Sequence, residues 1–257
     1  MQIASLCRYP VKGLSPESLP FADLKARHGI ALDRIYAITD GSFEFDENAP
    51  VPMPKTRFLM LAKYERLARL KTKLEPDTQA LAVEADGMAQ TFMLRESSGR
   101  QALAKFLTEY LDVELPGEAK VAHADGHQFT DVSVHSTTLM RSISLINLAT
   151  VSDLAAHLGR RLDPLRFRAN VYFDGGKPWS ELDWIGRTLR CGDVFLTIVR
   201  RTHRCSATSV DLETGVRDIN LPAAIRDYQN HTDCGVYADV MGNGRVRPGD
   251  VLQLVDN

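Results

Sequence analysis

The chain of 257 residues is 44% hydrophobic and 25% charged, a globular composition that excludes a disordered chain and leaves room for one large or two medium cores. A formal charge of -2 supplies no global field for nucleic acid or an acidic membrane, so any anion site must be local. No run reaches the roughly 18 apolar residues of a membrane span, and "MQIASLCRYPVKGLSPESLP" lacks the basic start, apolar middle and small-residue cleavage site of a secretory signal, which predicts a cytoplasmic protein with no membrane span and no nucleic-acid partner.

In chain order, "QIASLCRY" and "GIALDRIYAITD" read as strands, joined by the turn-rich "PVKGLSPESLPFADLKARH". The region from Met60 to Lys73 is two-sided, since "FLML" begins like a strand and "AKYERLARLK" continues like a helix. "ALAVEADG" and "QTFMLRE" follow as strands around an Asp86-Gly87 turn. Ser98 is positioned to cap a helix over "GRQALAKFLTEYLD", with Leu103, Phe106, Leu107, Tyr110 and Leu111 on one face. The composition shifts at "LPGEAKVAHADGHQFTD", which sets a boundary near residue 115 and divides the chain into 1–115 and 116–257. A second helix over "VSDLAAHLG" has Thr150 or Asn147 as its cap and Gly159 as its end, and a third starts after Pro222. "LRCGDVFLTIVRR", "CGVYADVMG" and "DVLQLVD" read as strands, with turns at 242–244 and 247–250. The balance is mainly β with a few helices, an α+β chain.

Four cysteines, Cys7, Cys191, Cys205 and Cys234, lie far apart with no CxxC pair, so a zinc ribbon, an iron-sulfur cluster and a dithiol are excluded and free thiols are expected. Cys205 follows Arg200, Arg201, His203 and Arg204, and an adjacent guanidinium favours the thiolate, which is both nucleophile and metal ligand. If "RFRANVYF" is a strand, Arg166, Arg168 and Asn170 share a polar face suited to phosphate or another planar anion. Lys12 in the turn after the first strand, beside Gly13, and Arg34 beside Asp33 are further candidates. Local sequence equally allows a buried inert thiol, solvated arginines and lone surface salt bridges.

Other patterns carry less. Asp125-Gly126 inside "HADGH" makes His123 and His127 loop residues rather than a helical metal pair, and "GNGRVRPG" lacks the strand-to-helix context of a dinucleotide loop. Neither GxSxG nor GxxxxGK[ST] occurs. "PWSELDWIG" reads as a packed corner under the cysteine strand.

Taken in order, "YPVKGLSPE", "GIALDRIYAITD", "RFRANVYF", "PWSELDWIG", "RCSATSVDLETG" and "RVRPGD" resemble the MOSC family of molybdenum-cofactor proteins. The likeness is nearest the branch in which an N-terminal β-barrel domain precedes a MOSC β-barrel domain, which includes the mitochondrial amidoxime-reducing component and bacterial hydroxylaminopurine-resistance proteins. The resemblance covers nearly the whole chain. It implies a molybdenum ion held by one pyranopterin dithiolene and by one protein cysteine, matched here by Cys205, with Arg204 beside it and with Lys12, Arg34, Arg168 and Asn170 at the positions that hold the cofactor. It further implies oxygen-atom transfer from small N-hydroxylated substrates such as hydroxylamines and amidoximes. Two other readings use the same thiol: a sulfur carrier bearing a persulfide on Cys205, and a non-catalytic cofactor-binding protein. Three departures stand out. Gly13 occupies a position where relatives often carry serine, "KTRFLML" lacks the proline expected after Arg57, and the chain ends at Asn257 with no cluster-binding cysteines, so electrons are expected from a separate protein.

Overall fold

The computed structural model describes residues 1–255. In the first half, strands β1 (Gln2–Arg8), β2 (Glu17–Leu19), β3 (Ala22–Lys25), β4 (Gly29–Ile30), β5 (Tyr36–Ile38), β6 (Lys71–Leu74), β7 (Ala80–Ala85) and β8 (Met88–Met93) precede helix α1 (Ser97–Leu111) and β9 (Val121–His123). There follow α2 (Thr137–Met140), β10 (Ile143–Asn147), α3 (Leu148–His157), β11 (Val171–Asp174), β12 (Thr188–Cys191), β13 (Val194–His203), α4 (Leu221–Gln229), β14 (Asp233–Val240), β15 (Gly244–Val246) and β16 (Leu252–Val255). The fold is mainly β, as the composition of predicted elements implies.

The principal sheet has eight strands in the order β16-β12-β13-β14-β10-β11-β1-β2. Its ladder is open, but Ile3 N donates to Asp250 O (2.9 Å) and Gly249 N to Ile3 O (2.8 Å), with a bridge between Gln2 and Val251. These contacts bring the segment ahead of β16 back against β1. Inward residues of this sheet, Leu6, Leu145, Val171, Phe173, Leu189, Leu196 and Val236 among them, build one buried cluster, and the alternation of buried and exposed positions along β12 (iBeB) is the period-two signature that pins its register. Three pairings join early and late chain: β1 with β11, β3 with β15, and β5 with β9.

A second cluster lies under α1 and the β6-β7-β8 meander, where Leu67, Leu70, Leu81, Leu94, Leu103 and Leu107 are buried. Each leucine side chain removed from water there contributes about 2 kcal/mol. The Asp86-Gly87 turn forms as expected, both residues having positive φ (49° and 82°), the requirement of a two-residue turn between twisted strands.

Several local expectations are corrected. "GIALDRIYAITD" is not one strand: β4 and β5 flank a turn in which Leu32 and Arg34 take φ of 61° and 53°. "RFRANVYF" is not one strand either, because Asp163 caps a short 3-10 turn over Pro164–Phe167, with its side chain accepting from Leu165 N at 2.9 Å. Asp-Pro is a helix-entry signal and outweighs the β-branched run that begins only at Val171. "LRCGDVFLTIVRR" is a hairpin, β12 to β13, and the Met60–Lys73 region is a turn, a 3-10 stretch over Glu65–Arg69 and then β6. Ser98 lies inside α1, whose first residue is Ser97. Asn147 caps α3 through Ala149 N (3.1 Å), and α4 begins at Leu221, before Pro222, capped by Asn220.

Candidate functional site

A cavity of about 330 Å³ opens among the turn after β1, the 55–62 loop, the 130–135 loop and the end of β13, and Lys12, Arg34, Arg168, Asn170, Arg204 and Cys205 all line it. This volume is at the small end of the range for ligand pockets, about 300–1,000 Å³. The six candidates from scattered sequence positions thus share one wall system.

Cys205 reaches the cavity because β13 is irregular at its end. Its register against β14 shifts between Ile198 and Arg200 and again between Arg201 and His203, and such bulges bend a strand and re-aim its side chains. Cys205 then enters the 3-10 turn Ser206–Ser209, its carbonyl accepting from Thr208 N (3.1 Å) and Thr208 Oγ1 (2.9 Å). It is half-buried, whereas Cys7, Cys191 and Cys234 are buried. Burial pushes the Cys7 thiol up to about 11 and those of Cys191 and Cys234 up to about 12, so these three are protonated, inert core residues at neutral pH.

Two of the arginines adjacent in sequence are turned to main-chain carbonyls. Arg204 is buried, donating from Nε to Cys234 O (2.7 Å) and from Nη1 to Phe167 O (2.6 Å), and Arg201 donates from Nε to Leu182 O (2.8 Å). The cation beside Cys205 is Lys55. Burial disfavours its charge, but Asp131 and Cys205 outweigh burial and raise its pKa. Lys55 lies 3.2 Å from Asp131, and Lys12 binds the same carboxylate and donates to Phe129 O at 3.1 Å. Partial removal from water works to raise the Asp131 carboxyl, yet the two ammonium groups beside it hold it well below the usual carboxylate range. Lys12, being buried, is itself lowered despite Asp131.

Arg34 and Arg168 form the opposite wall. Both take left-handed backbone, φ 53° and 52°, a strained conformation that concentrates at functional sites. Arg34 pairs with Asp33 (2.5 Å) and donates from Nη2 to Arg168 O (3.0 Å). Burial lowers the Arg168 pKa and the Arg34 charge lowers it further; a guanidinium stays cationic regardless, so this wall carries two positive charges, of which Arg34 alone is ion-paired. Asn170 is buried, with Oδ1 accepting from Ser144 N and Ser144 Oγ (each 3.1 Å) and Nδ2 donating to Cys7 O (3.2 Å). Its amide therefore joins β1 to β10, and one of its two N–H hydrogens is not used in these bonds. Arg166 lines the cavity too, but its guanidinium pairs with Asp211 (2.6 Å) and Asp218 (2.7 Å). Eight lysines and arginines line the cavity against one acid, Asp131, and the buried Arg204 Nη2 and Arg166 Nε have no hydrogen-bond partner.

The other sequence features find places elsewhere. His127 packs against Phe45 and Phe129 (5.8 and 4.8 Å), and His123 Nδ1 meets Ile35 O (3.0 Å). Arg57 points to Ser42 O (3.4 Å), away from the cavity. Trp184 packs on Phe173 (5.6 Å), and Gly186 N donates to Ile198 O on β13, so "PWSELDWIG" is the packed corner expected. Lys55 and Asp131 were missed. Neither carries a local motif, and only long-range packing brings them to Cys205.

Residues 1–116 match the family model described as the MOSC N-terminal beta barrel domain, and residues 131–253 match that of the MOSC domain. The chain is 29% identical over 176 residues to mitochondrial amidoxime-reducing component 1 of Mus musculus, covering 63% of this chain and 44% of that protein. It is 31% identical over 127 residues to mitochondrial amidoxime reducing component 2 of Rattus norvegicus (44% and 37%) and 34% identical over 88 residues to molybdenum cofactor sulfurase of Caenorhabditis briggsae (34% and 12%). The chain thus spans less than half the length of these relatives. Among the described residues no helix is long and apolar enough to cross a membrane.

Proposed function

The chain belongs to the MOSC family, with the N-terminal barrel domain followed by the MOSC domain, and from that premise we propose that it is a molybdenum-cofactor-dependent reductase of N-oxygenated compounds, with 1–115 and 116–257 as its two domains. One observation carries this reading: the only cysteine that is not buried opens, with Lys12, Arg34, Arg168, Asn170 and Arg204, onto a single cation-lined cavity. The residues fit the group. A soft thiolate suits a metal already bound by sulfur, and the unpartnered Arg204 Nη2 is a donor waiting for an acceptor in a buried setting where an unmade bond costs about 1–3 kcal/mol.

When bound, the cofactor supplies a metal centre that takes the oxygen of an N–O bond. The protein's part is to hold and shield it. Cys205 provides the thiolate, and Thr208 fixes the cysteine carbonyl and so the direction of the side chain. Arg34, Arg168 and Arg204 offset anionic charge; Arg34 and Arg204 are preorganised by main-chain carbonyls and Arg168 by the Tyr9 ring, so that little rearrangement is needed on binding. Lys55 and Asp131, whose side chains are 31% and 46% exposed, stand at the mouth and meet a small N-hydroxylated substrate first. The test is reduction of a model hydroxylamine by the cofactor-loaded chain with a chemical reductant: activity is expected in the wild type and lost in Cys205→Ser with the fold intact, and full activity in the variant contradicts the reading.

The match to a molybdenum cofactor sulfurase favours a second reading, in which Cys205 carries a persulfide. Intact-protein mass after incubation with a cysteine desulfurase separates the two, since a carrier gains about one sulfur atom on Cys205.

A further inference from the structure

Tyr9 touches no opening, yet four separate interactions run from it into the arginine wall. Its ring is fully buried. The Arg34 guanidinium lies 4.6 Å from the ring centroid and the Arg168 guanidinium 4.5 Å from it. Its backbone N–H donates to Asp33 Oδ1 (2.8 Å), the carboxylate that pairs with Arg34, and its carbonyl accepts from Arg34 N (2.7 Å). Its hydroxyl meets the Tyr172 hydroxyl at 3.2 Å, and Tyr172 in turn accepts from Ala169 N (3.0 Å), the residue after Arg168.

Two like charges share this wall, and they are not equally compensated. Arg34 has Asp33. Among the described residues Arg168 has no ion pair and no side-chain hydrogen bond; its guanidinium lies against the Tyr9 ring, with Asp131 an attractive charge beyond ion-pair distance. An aromatic face attracts a cation by its quadrupole, more strongly where water is excluded, without occupying the N–H edge of the guanidinium. Arg168, held by the ring, thus keeps its donor edge free for a ligand, while Arg34 turns Nη1 to Asp33 and Nη2 to Arg168 O, and the ring offsets part of the repulsion between the two cations.

We infer that Tyr9 is the positioning residue of an anion clamp formed by Arg34 and Arg168, holding both guanidinium groups by its ring and holding Arg34 additionally by its backbone. The inference rests on the reading of these arginines as holders of an anionic group. Because the ring itself takes up no N–H donor of either guanidinium, it does not compete with the anion, and its loss removes preorganisation only.

The probe is inorganic pyrophosphate, titrated calorimetrically into the full chain made in a host without the cofactor. Tyr9→Phe, which keeps the ring and drops the hydroxyl, is expected to bind within about two-fold of wild type, and Tyr9→Leu about ten-fold more weakly. Phenylalanine analogues with three and five ring fluorines at position 9 keep the volume and weaken the quadrupole, so affinity is expected to fall step by step. This gradation would not arise from a merely structural ring, and it decides the matter should Tyr9→Leu fail to fold. Unchanged affinity across the fluorinated series overturns the role of Tyr9 and leaves the clamp standing. Equal losses in Tyr9→Phe and Tyr9→Leu overturn it too, assigning the effect to the Tyr172 hydroxyl contact. A wild type that binds no pyrophosphate overturns the clamp itself, and the role of Tyr9 with it.

Discussion

Gly13 illustrates how a single residue sets the local rules. Its φ is 85°, and a Cβ built there would sit 2.5 Å from the Leu59 carbonyl oxygen, so the serine that the family resemblance leads one to expect there does not fit this backbone. Gly13→Ser is therefore expected to destabilise this chain by about 2 kcal/mol, through left-handed strain and displacement of the 58–62 loop, as a lowered thermal midpoint. An unchanged midpoint would mean that the loop yields freely. Asp131 sets a second expectation. Its carboxyl is lowered in the folded state because Lys12 and Lys55 outweigh burial, so the stability it contributes is complete above the unfolded value of about 3.9 and is lost as pH falls below it. Asp131→Asn should be less stable than wild type at pH 7, with the gap closing toward pH 3. Thermal midpoints across that range, taken on cofactor-free protein, check the sign. Lys12, Arg34, Arg168 and Asn170 were legible in the sequence as charge or amide beside a turn or strand; Lys55 was not, because its meaning comes from Cys205, which is remote in the chain.

At the scale of elements, the cavity is built by irregularity rather than by regular strands. The bulged end of β13, the left-handed turn at Arg34 and the 3-10 turn before Arg168 each deliver one cavity side chain. Regular elements such as β7, β8, α1 and β14 were readable because periodicity reports burial. The irregular ones were not, since a period-two pattern carries no sign of a positive φ, and in "RFRANVYF" Asp163-Pro164 redirected the chain. The start of α3 offers a direct test of element-level wiring. Asn147 caps the helix and also donates to Lys177 O (2.8 Å) and to the buried Glu181 (3.2 Å). Asn147→Ala should cost about 3 kcal/mol, a cap plus a charge-assisted hydrogen bond, readable from chemical denaturation. A loss under about 1 kcal/mol would mean that Thr150 and the backbone N–H groups of Glu181 and Gly235 satisfy the carboxyl without Asn147.

For the whole molecule, the composition shift near residue 115 marks where one sequence pattern gives way to another, while the hydrogen-bond ladders cross it. Strands β1, β3 and β5 each pair with a strand from beyond that point, and the cavity draws Lys12, Arg34 and Lys55 from one side and Cys205 from the other. A single cooperative unfolding transition is expected, with calorimetric and van't Hoff enthalpies in agreement; two resolved transitions would show that the halves are stable apart. The most direct test of the central claim is elemental analysis for molybdenum in wild type and Cys205→Ala, both produced in a host that makes the cofactor. Near-stoichiometric metal in the wild type and a sharp loss in a folded variant are predicted, and metal absent from the wild type, or equal in the two, would contradict it.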